Sequence, residues 1–369
     1  MPIFGVCFFL VLFFAFIFGR KFNEKSKKAY IIVANFFLIL FCSIRSIEVG
    51  PDTFNYVEKF HDALTMSWSD LPQMVIQRYV LRTEETDVGF IILEKLVTLF
   101  TPNFQIYTFI IDLIFFIPFG IFLYRYTNNL YQLVFAYVFF ISLVYVFFLS
   151  GGRQMQAMGF ELMSFFYIIK DKYIKALILT LIGMLIHLSM LLVVPYILAC
   201  WFFKKKGKVI HLITIILYPL VLISVSRVLL LMSNFIGMDR YSKYGEVEVQ
   251  GGATVFIAMI LFLSVFCYIA IRKRNLQKSV SLQKLYMALP FMTITGPLIY
   301  SNGSMIRICL YYFIFMTLLV PTALELSMQK SIVKKTYVLA IAVLIVLKLA
   351  SGGIDYDFFW NDQQGSWNY

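Results

Sequence analysis

The chain has 369 residues, of which 61% are hydrophobic and only 14% charged. A soluble domain is about 45–50% apolar, so this composition excludes a water-soluble enzyme, a disordered chain and a nucleic-acid-binding module. The formal net charge of +12 therefore reads as basic loops on the inner side of a membrane, not as a footprint for nucleic acid.

At about 25–30 residues per span and loop, the length leaves room for roughly a dozen crossings. Apolar runs fall at 2–19, 29–47, 104–124, 130–149, 153–169, 173–186, 188–203, 209–230, 253–271, 285–300, 305–321 and 336–350. The expected architecture is an all-α, polytopic bundle of about twelve spans, one transmembrane domain over 1–369. The first run has no basic residue before it and a basic cluster after it. A cleavable signal peptide has the reverse arrangement, so this run is expected to stay as the first span. The two runs flanking His187 are short enough to form one broken hairpin.

Sidedness follows from the loops. Segments 20–28, 125–129, 170–175, 204–208, 272–284 and 326–335 hold 21 of the 32 lysines and arginines, opposed only by Glu24 and Asp171, with Glu325 at the border. The positive-inside rule assigns them to the cytoplasm, and both termini then face outward. The outer side carries an external loop at 48–101, a second at 231–252 and the tail 351–369. Within the first loop, residues 89–101 are too short to span and carry Glu94 and Lys95, which predicts an interfacial or re-entrant amphipathic helix. The five cysteines, Cys7, Cys42, Cys200, Cys267 and Cys309, all lie in apolar runs without a CxxC. They read as small buried hydrophobes.

No P-loop, HExxH, GxSxG or GxGxxG occurs. Asp355-Tyr356-Asp357 spells DxD, but in the outward tail, where sugar nucleotides are not supplied, so no metal is assigned. The informative residues are charges at membrane depth, which are costly to bury and need a partner or a wet cavity. Arg45, Arg153, Arg227 and Arg307 sit at the outer ends of spans, against the positive-inside trend. A snorkelling arginine explains one such residue; several converging ones suggest a ligand with several phosphate charges. Arg153 follows Gly151-Gly152 and precedes Gln154, so a helix start and a guanidinium meet in one place. Arg307 follows the small residues Ser301-Asn302-Gly303-Ser304. His187 lies at the same outer level. Glu161 and Asp112 are deeper and read as structural partners. The turn Gly50-Pro51-Asp52-Thr53-Phe54-Asn55-Tyr56 and the stretch Arg240-Tyr241-Ser242-Lys243-Tyr244 combine planar polar groups with aromatic rings, the chemistry that a glycan site needs.

In this order the residues resemble the EpsG-like branch of the Wzy-type polysaccharide polymerases. The resemblance runs through Asp52-Thr53 and Tyr56, then Glu85 with Gly89-Phe90, Gly152-Arg153-Gln154 and His187-Leu188-Ser189. It ends with Arg240-Tyr241 and Tyr244, and Arg307 with Tyr311-Tyr312-Phe313. It covers roughly residues 40–320. It implies a GT-C-like bundle with an outward cavity, acting on the outer face of the bacterial inner membrane. There it would transfer a growing glycan from undecaprenyl diphosphate to the next lipid-linked repeat unit. It implies no cofactor and no metal, because the donor is already activated. Lipid-linked oligosaccharides are the implied partners, with a flippase and a chain-length regulator beside them. Arg153 and Arg307 are then expected at the diphosphate, and Asp52 or His187 at the acceptor hydroxyl. Arg45 and Gln154 are expected to bind substrate, with Tyr56, Arg240, Tyr241 and Tyr244 against sugars. The rival readings are a flippase for the same lipid-linked units, a ligase and a membrane O-acyltransferase. A flippase should spread its charges through both halves of the membrane; here they concentrate in the outer half.

Overall fold

The computed structural model describes residues 2–81, 87–150, 152–203, 207–236, 251–272, 279–301, 303–352 and 354–362. Among them the fold is all-α. The first helices are α1 (Ile3–Gly19), α2 (Glu24–Ser43), α3 (Thr53–Thr65), the single turn α4 (Leu71–Val75), α5 (Val88–Thr98), α6 (Phe104–Tyr126) and α7 (Leu130–Leu143). After them come α8 (Gly152–Ile169), α9 (Tyr173–Ile186), α10 (Val194–Phe202), α11 (Gly207–Ile223), α12 (Val225–Ile236) and α13 (Gly251–Arg272). The chain closes with α14 (Val280–Tyr286), α15 (Leu289–Thr295), α16 (Ile306–Phe313), α17 (Met316–Ser327) and α18 (Lys330–Ala350).

Local chemistry sets several of the helix starts. Asn23 accepts from the amides of Lys25 and Ser26 while the Ser26 hydroxyl accepts from Asn23 N–H, a reciprocal cap on α2. Asn103 and Asn129 cap α6 and α7 through the amides of Ile106 and Gln132. Aromatic rings fill the space between α6, α7 and the turn before α8: Phe115 lies 4.7 Å from Phe148, and Phe119 lies 4.7 Å from Phe140. Polar groups inside this core are paired across helices. Asn35 of α2 donates to Phe116 O at 2.8 Å and accepts from Tyr137 OH at 2.8 Å. All five cysteines are free and buried.

Three described helices, α2, α6 and most of α13, are long and apolar enough to cross a membrane. Two bent pairs would add one span each: α11 with α12, bent by 97°, and α16 with α17, bent by 54°. Four more apolar helices, including α1, α7 and α9, run only 10–17 residues. Some of the twelve apolar runs, 188–203, 209–230, 285–300 and 305–321, are cut into shorter helical pieces, while 2–19, 173–186 and 336–350 each fall on one helix. Prolines and bends make the cuts: Pro195 opens α10, and Pro290 opens α15. The amphipathic segment after residue 88 is a helix of 11 residues, packed against α3 and α9.

The described residues of the basic loops near Lys27, Arg125, Asp171 and Lys284 lie at one end of the bundle. Lys27 Nζ donates to Thr127 O, Asn129 donates to Glu325 at 2.6 Å, and the Arg125 guanidinium lies over the Phe166 ring. Lys284 donates to Asp171, to Tyr173 OH and to Cys200 O. The opposite end carries α3, α5, the starts of α6, α8 and α16, and the tail. There Arg45 and Phe358 form an isolated antiparallel bridge.

Candidate functional site

At this second end, the turn after α2 presses against the loop that leads into α8. Gly50 has φ +85°, and a Cβ there would sit 2.0 Å from Leu149 O. Only glycine fits both the left-handed backbone and the close approach. The turn delivers Asp52 to Arg307 at the start of α16, where Arg307 Nη2 donates to Asp52 Oδ2 at 2.9 Å. About a third of each side chain remains accessible, so the pair lies open to a ligand. Gln154, in the first turn of α8, donates its amide to Arg307 O and so joins α8 to α16.

Arg153 neighbours this pair on α8. Its guanidinium lies over the Phe90 ring at 5.8 Å and faces Tyr56, Asp87 and Glu94. Its Nη1 is buried without a hydrogen-bond partner. Gln154 Oε1 and Gln156 Oε1 are in the same condition. Three buried polar atoms within the first turns of one helix thus have hydrogen-bonding capacity that a ligand or an ordered water would satisfy. Tyr56 packs on Phe90, ring centroids 5.8 Å apart, and its ring fills the space beside Gly152.

His187 ends α9 in extended backbone and starts the short 3-10 turn Leu188–Val193. Its Nδ1 accepts from the Ser189 amide at 3.3 Å and lies 2.9 Å from the Ser189 hydroxyl. That hydroxyl lies 2.9 Å from Tyr311 OH, one helical turn beyond Arg307. An Nδ1 that accepts from an amide leaves the ring hydrogen of the neutral imidazole on Nε2.

Asp87 and Arg78 complete the frame, and the sequence reading passed over both. Asp87 Oδ1 accepts from Arg78 at 2.9 Å, and Oδ2 accepts from Leu188 N–H at 3.2 Å; the ion pair is almost fully buried. One carboxylate thus ties the helical turn Ile76–Leu81, the start of α5 and the His187 break together. Burial pushes the Asp87 carboxyl above the usual range, while Arg153 and Arg78 draw it back. The available signal was an acidic residue directly before the apolar run of α5, at its N-cap. Gly89 lets α5 approach the end of α9, since a Cβ there would meet the Leu185 backbone at 2.6 Å. On α5, burial raises the Glu94 carboxyl to about 8, against the opposing pull of its Tyr107 hydrogen bond.

The structure therefore brings Asp52, Tyr56, Arg153, Gln154, His187 and Arg307 to one end. Arg45 is at that end but inside: it donates to the Thr53 hydroxyl and to Cys42 O, and its charge faces Asp112. Asp112 accepts from Gln156 at 3.4 Å. Glu161, expected to have a structural partner, has both carboxyl oxygens buried without a hydrogen bond. Asp357 accepts from Asn361 and from Phe358 N–H and so caps a tail turn. Among the described residues no three His, Cys, Asp or Glu side chains stand together as metal ligands would. Arg240, Tyr241, Tyr244, Glu85 and Gly151 lie outside the described residues.

An apolar chain, all-helical among the described residues and with several helices long enough to cross a membrane, is a multi-pass membrane protein; unpartnered buried polar atoms and a half-open ion pair gather at one end of it. A model of the EpsG family matches residues 28–363, nearly the whole chain, and the protein belongs to that family of Wzy-like polysaccharide polymerases. No curated protein and no solved structure matches it.

Proposed function

We propose that the protein transfers a growing glycan from undecaprenyl diphosphate to the next lipid-linked oligosaccharide unit, at the outer face of the bacterial inner membrane. The observation that carries this reading is the unpartnered, buried Nη1 of Arg153 beside the half-open Arg307–Asp52 pair. In the reaction an acceptor hydroxyl attacks the anomeric carbon of the donor. The bond from that carbon to the diphosphate oxygen breaks, and charge develops on the leaving diphosphate. Arg153 and Arg307 stabilise that charge. The acceptor's proton goes to Asp52, whose Oδ2 is engaged by Arg307 and which is otherwise open to substrate. His187 donates from Nε2 to a sugar oxygen and is held by Ser189 and Tyr311. Tyr56, Arg240, Tyr241 and Tyr244 hold sugars. Arg45 supports the turn that carries Asp52. The donor is already activated, so the step takes no metal and no cofactor. A flippase would deliver the units and a chain-length regulator would set where growth stops.

The test is the length distribution of surface glycan at matched expression. Arg153→Ala should lose on the order of 10²–10³ in turnover, as removal of one oriented donor does elsewhere. Arg153→Lys should recover only part of it, because an ammonium cannot bind two oxygens in one plane. Asp52→Asn should fall as far, because an amide cannot take the acceptor's proton. Long chains made at wild-type level by Arg153→Ala would remove it from the site. A strain lacking the chain should retain single repeat units and lose long chains; loss of all surface units would mean a flippase or a ligase.

Sidedness has a separate check. Native cysteines are buried, so engineered ones report cleanly. Cysteine at Glu58, exposed beside the site, should react with an impermeant thiol reagent on intact cells, and one at Lys25 should be shielded. The opposite pattern would put the site on the cytoplasmic face.

A further inference from the structure

A second cavity lies at the other end of the bundle, between the end of α1, the start of α7 and the α17–α18 junction. Its volume is about 650 Å³, and its lining includes Asn129, Tyr131, Glu325, Val333, Lys334 and Tyr337. That is within the range of pockets that hold small ligands, about 300–1,000 Å³. It contains one carboxylate and one ammonium, and the two do not form an ion pair with each other. Glu325 Oε1 accepts from Asn129 at 2.6 Å and lies 3.4 Å from Tyr337 OH, whose shorter bond goes to Pro321 O at 2.8 Å. Lys334 Nζ lies 5.9 Å from the Tyr131 ring centre. Tyr131 and Tyr337 are stacked, centroids 6.1 Å apart, and so separate the two charges. The surrounding loops are strongly basic, and a site for a purely anionic group would gain nothing from Glu325. Opposite charges held apart in one pocket fit a ligand that carries both.

We propose that this cavity binds a phosphoethanolamine group, its phosphate on Lys334 and its primary ammonium on Glu325. The carboxylate selects an ammonium that can donate hydrogen bonds. A trimethylammonium group has no N–H and so gains no hydrogen bond from Glu325. The apolar part of the lining, with Val333, Leu130 and Phe22, suits the first methylenes of an acyl chain. The group has two sources: the headgroup of a phosphatidylethanolamine in the adjoining leaflet, or the soluble compound.

The full chain, purified in detergent, can be melted with phosphatidylethanolamine, phosphatidylcholine, phosphatidylglycerol or soluble phosphoethanolamine added. A ligand present at 100 times its dissociation constant stabilises the folded state by about 2.7 kcal/mol, so a rise of several degrees in Tm is the expected signal. Phosphatidylethanolamine should raise Tm, with the choline and glycerol lipids giving at most a small rise. Glu325→Gln should erase the preference for the amine over the choline lipid, and Lys334→Gln should weaken phosphatidylethanolamine binding about tenfold. Val333→Trp fills the cavity and leaves the Glu325 bonds in place; it should remove the shift even if Glu325→Gln folds poorly. A shift from soluble phosphoethanolamine as large as from the lipid supports the same pocket with a soluble source. Equal shifts from all three lipids, or a shift that survives Val333→Trp, would overturn the proposal.

Discussion

Two pairs of cations, one at each end of the bundle, are treated in opposite ways. At the end with the basic loops, Lys27 and Lys284 are buried, and each is committed to groups of the protein: Thr127 O for one, Asp171, Tyr173 and Cys200 O for the other. At the end with the tail, Arg153 keeps a buried nitrogen unpaired, and Arg307 holds an aspartate that solvent also reaches. A cation whose hydrogen bonds are complete stabilises a fold; one left incomplete in a buried place costs stability until a ligand arrives. Under the proposed function, incomplete hydrogen bonding is what sets a binding cation apart from a structural one.

The comparison can be broken first at Asp87, which mixes the two roles. Asp87→Ala leaves Arg78 buried and unpaired, and such a loss costs about 3–5 kcal/mol. A large fall in Tm is expected. The pair replaced together, Arg78→Met with Asp87→Leu, should regain most of the Tm and yet make short glycan, because Leu188 and the His187 break lose their anchor. Full activity in that double variant would reduce Asp87 to a stability residue.

Lys27→Met sharpens the contrast from the other end. It leaves Thr127 O without its donor, a loss of about 1–3 kcal/mol, seen as a lower Tm. Turnover per folded molecule should not change, in contrast to Arg153→Ala. A further test concerns pH. Glu94 holds its proton to about pH 8 in the folded chain, whereas an unfolded glutamate releases it near 4.3. Its contribution is therefore most favourable below the unfolded value and is lost as pH rises toward 8. Tm of the wild type should decline between pH 5 and pH 9 more than that of Glu94→Gln. Parallel declines would exclude Glu94 as the cause.

Much of this was legible in the sequence, for a physical reason. Helicity and membrane class follow from composition, since a chain this apolar must satisfy its backbone internally. Arg153 and Arg307 stood out because arginine at the outer end of a span runs against the positive-inside trend, and Asp52 because it lies in a polar turn just after a span. The twelve-span count was less legible, because apolarity does not report where the axis bends: the break between α11 and α12 has no proline or glycine at Ser224, only a turn of direction. Arg45 looked like its neighbours until its bonds to Thr53 and Cys42 appeared. Asp87 and Arg78 were hidden because burial is a property of packing, and nothing about an Asp nine residues from an Arg foretells it.

The tail adds a matter of timing. Ser46 N–H donates to Asp357 O, Phe359 N–H donates to Ile44 O, and Tyr356 OH donates to Phe41 O. The turn that presents Asp52 is thus clamped by a segment synthesised more than 300 residues later. At about 5–20 residues per second, the ribosome leaves that turn unclamped for on the order of 15–60 s. A nascent chain can therefore insert most of its helices while its site is still incomplete, and a stalled or truncated product would sit in the membrane without acting on the lipid-linked sugars around it.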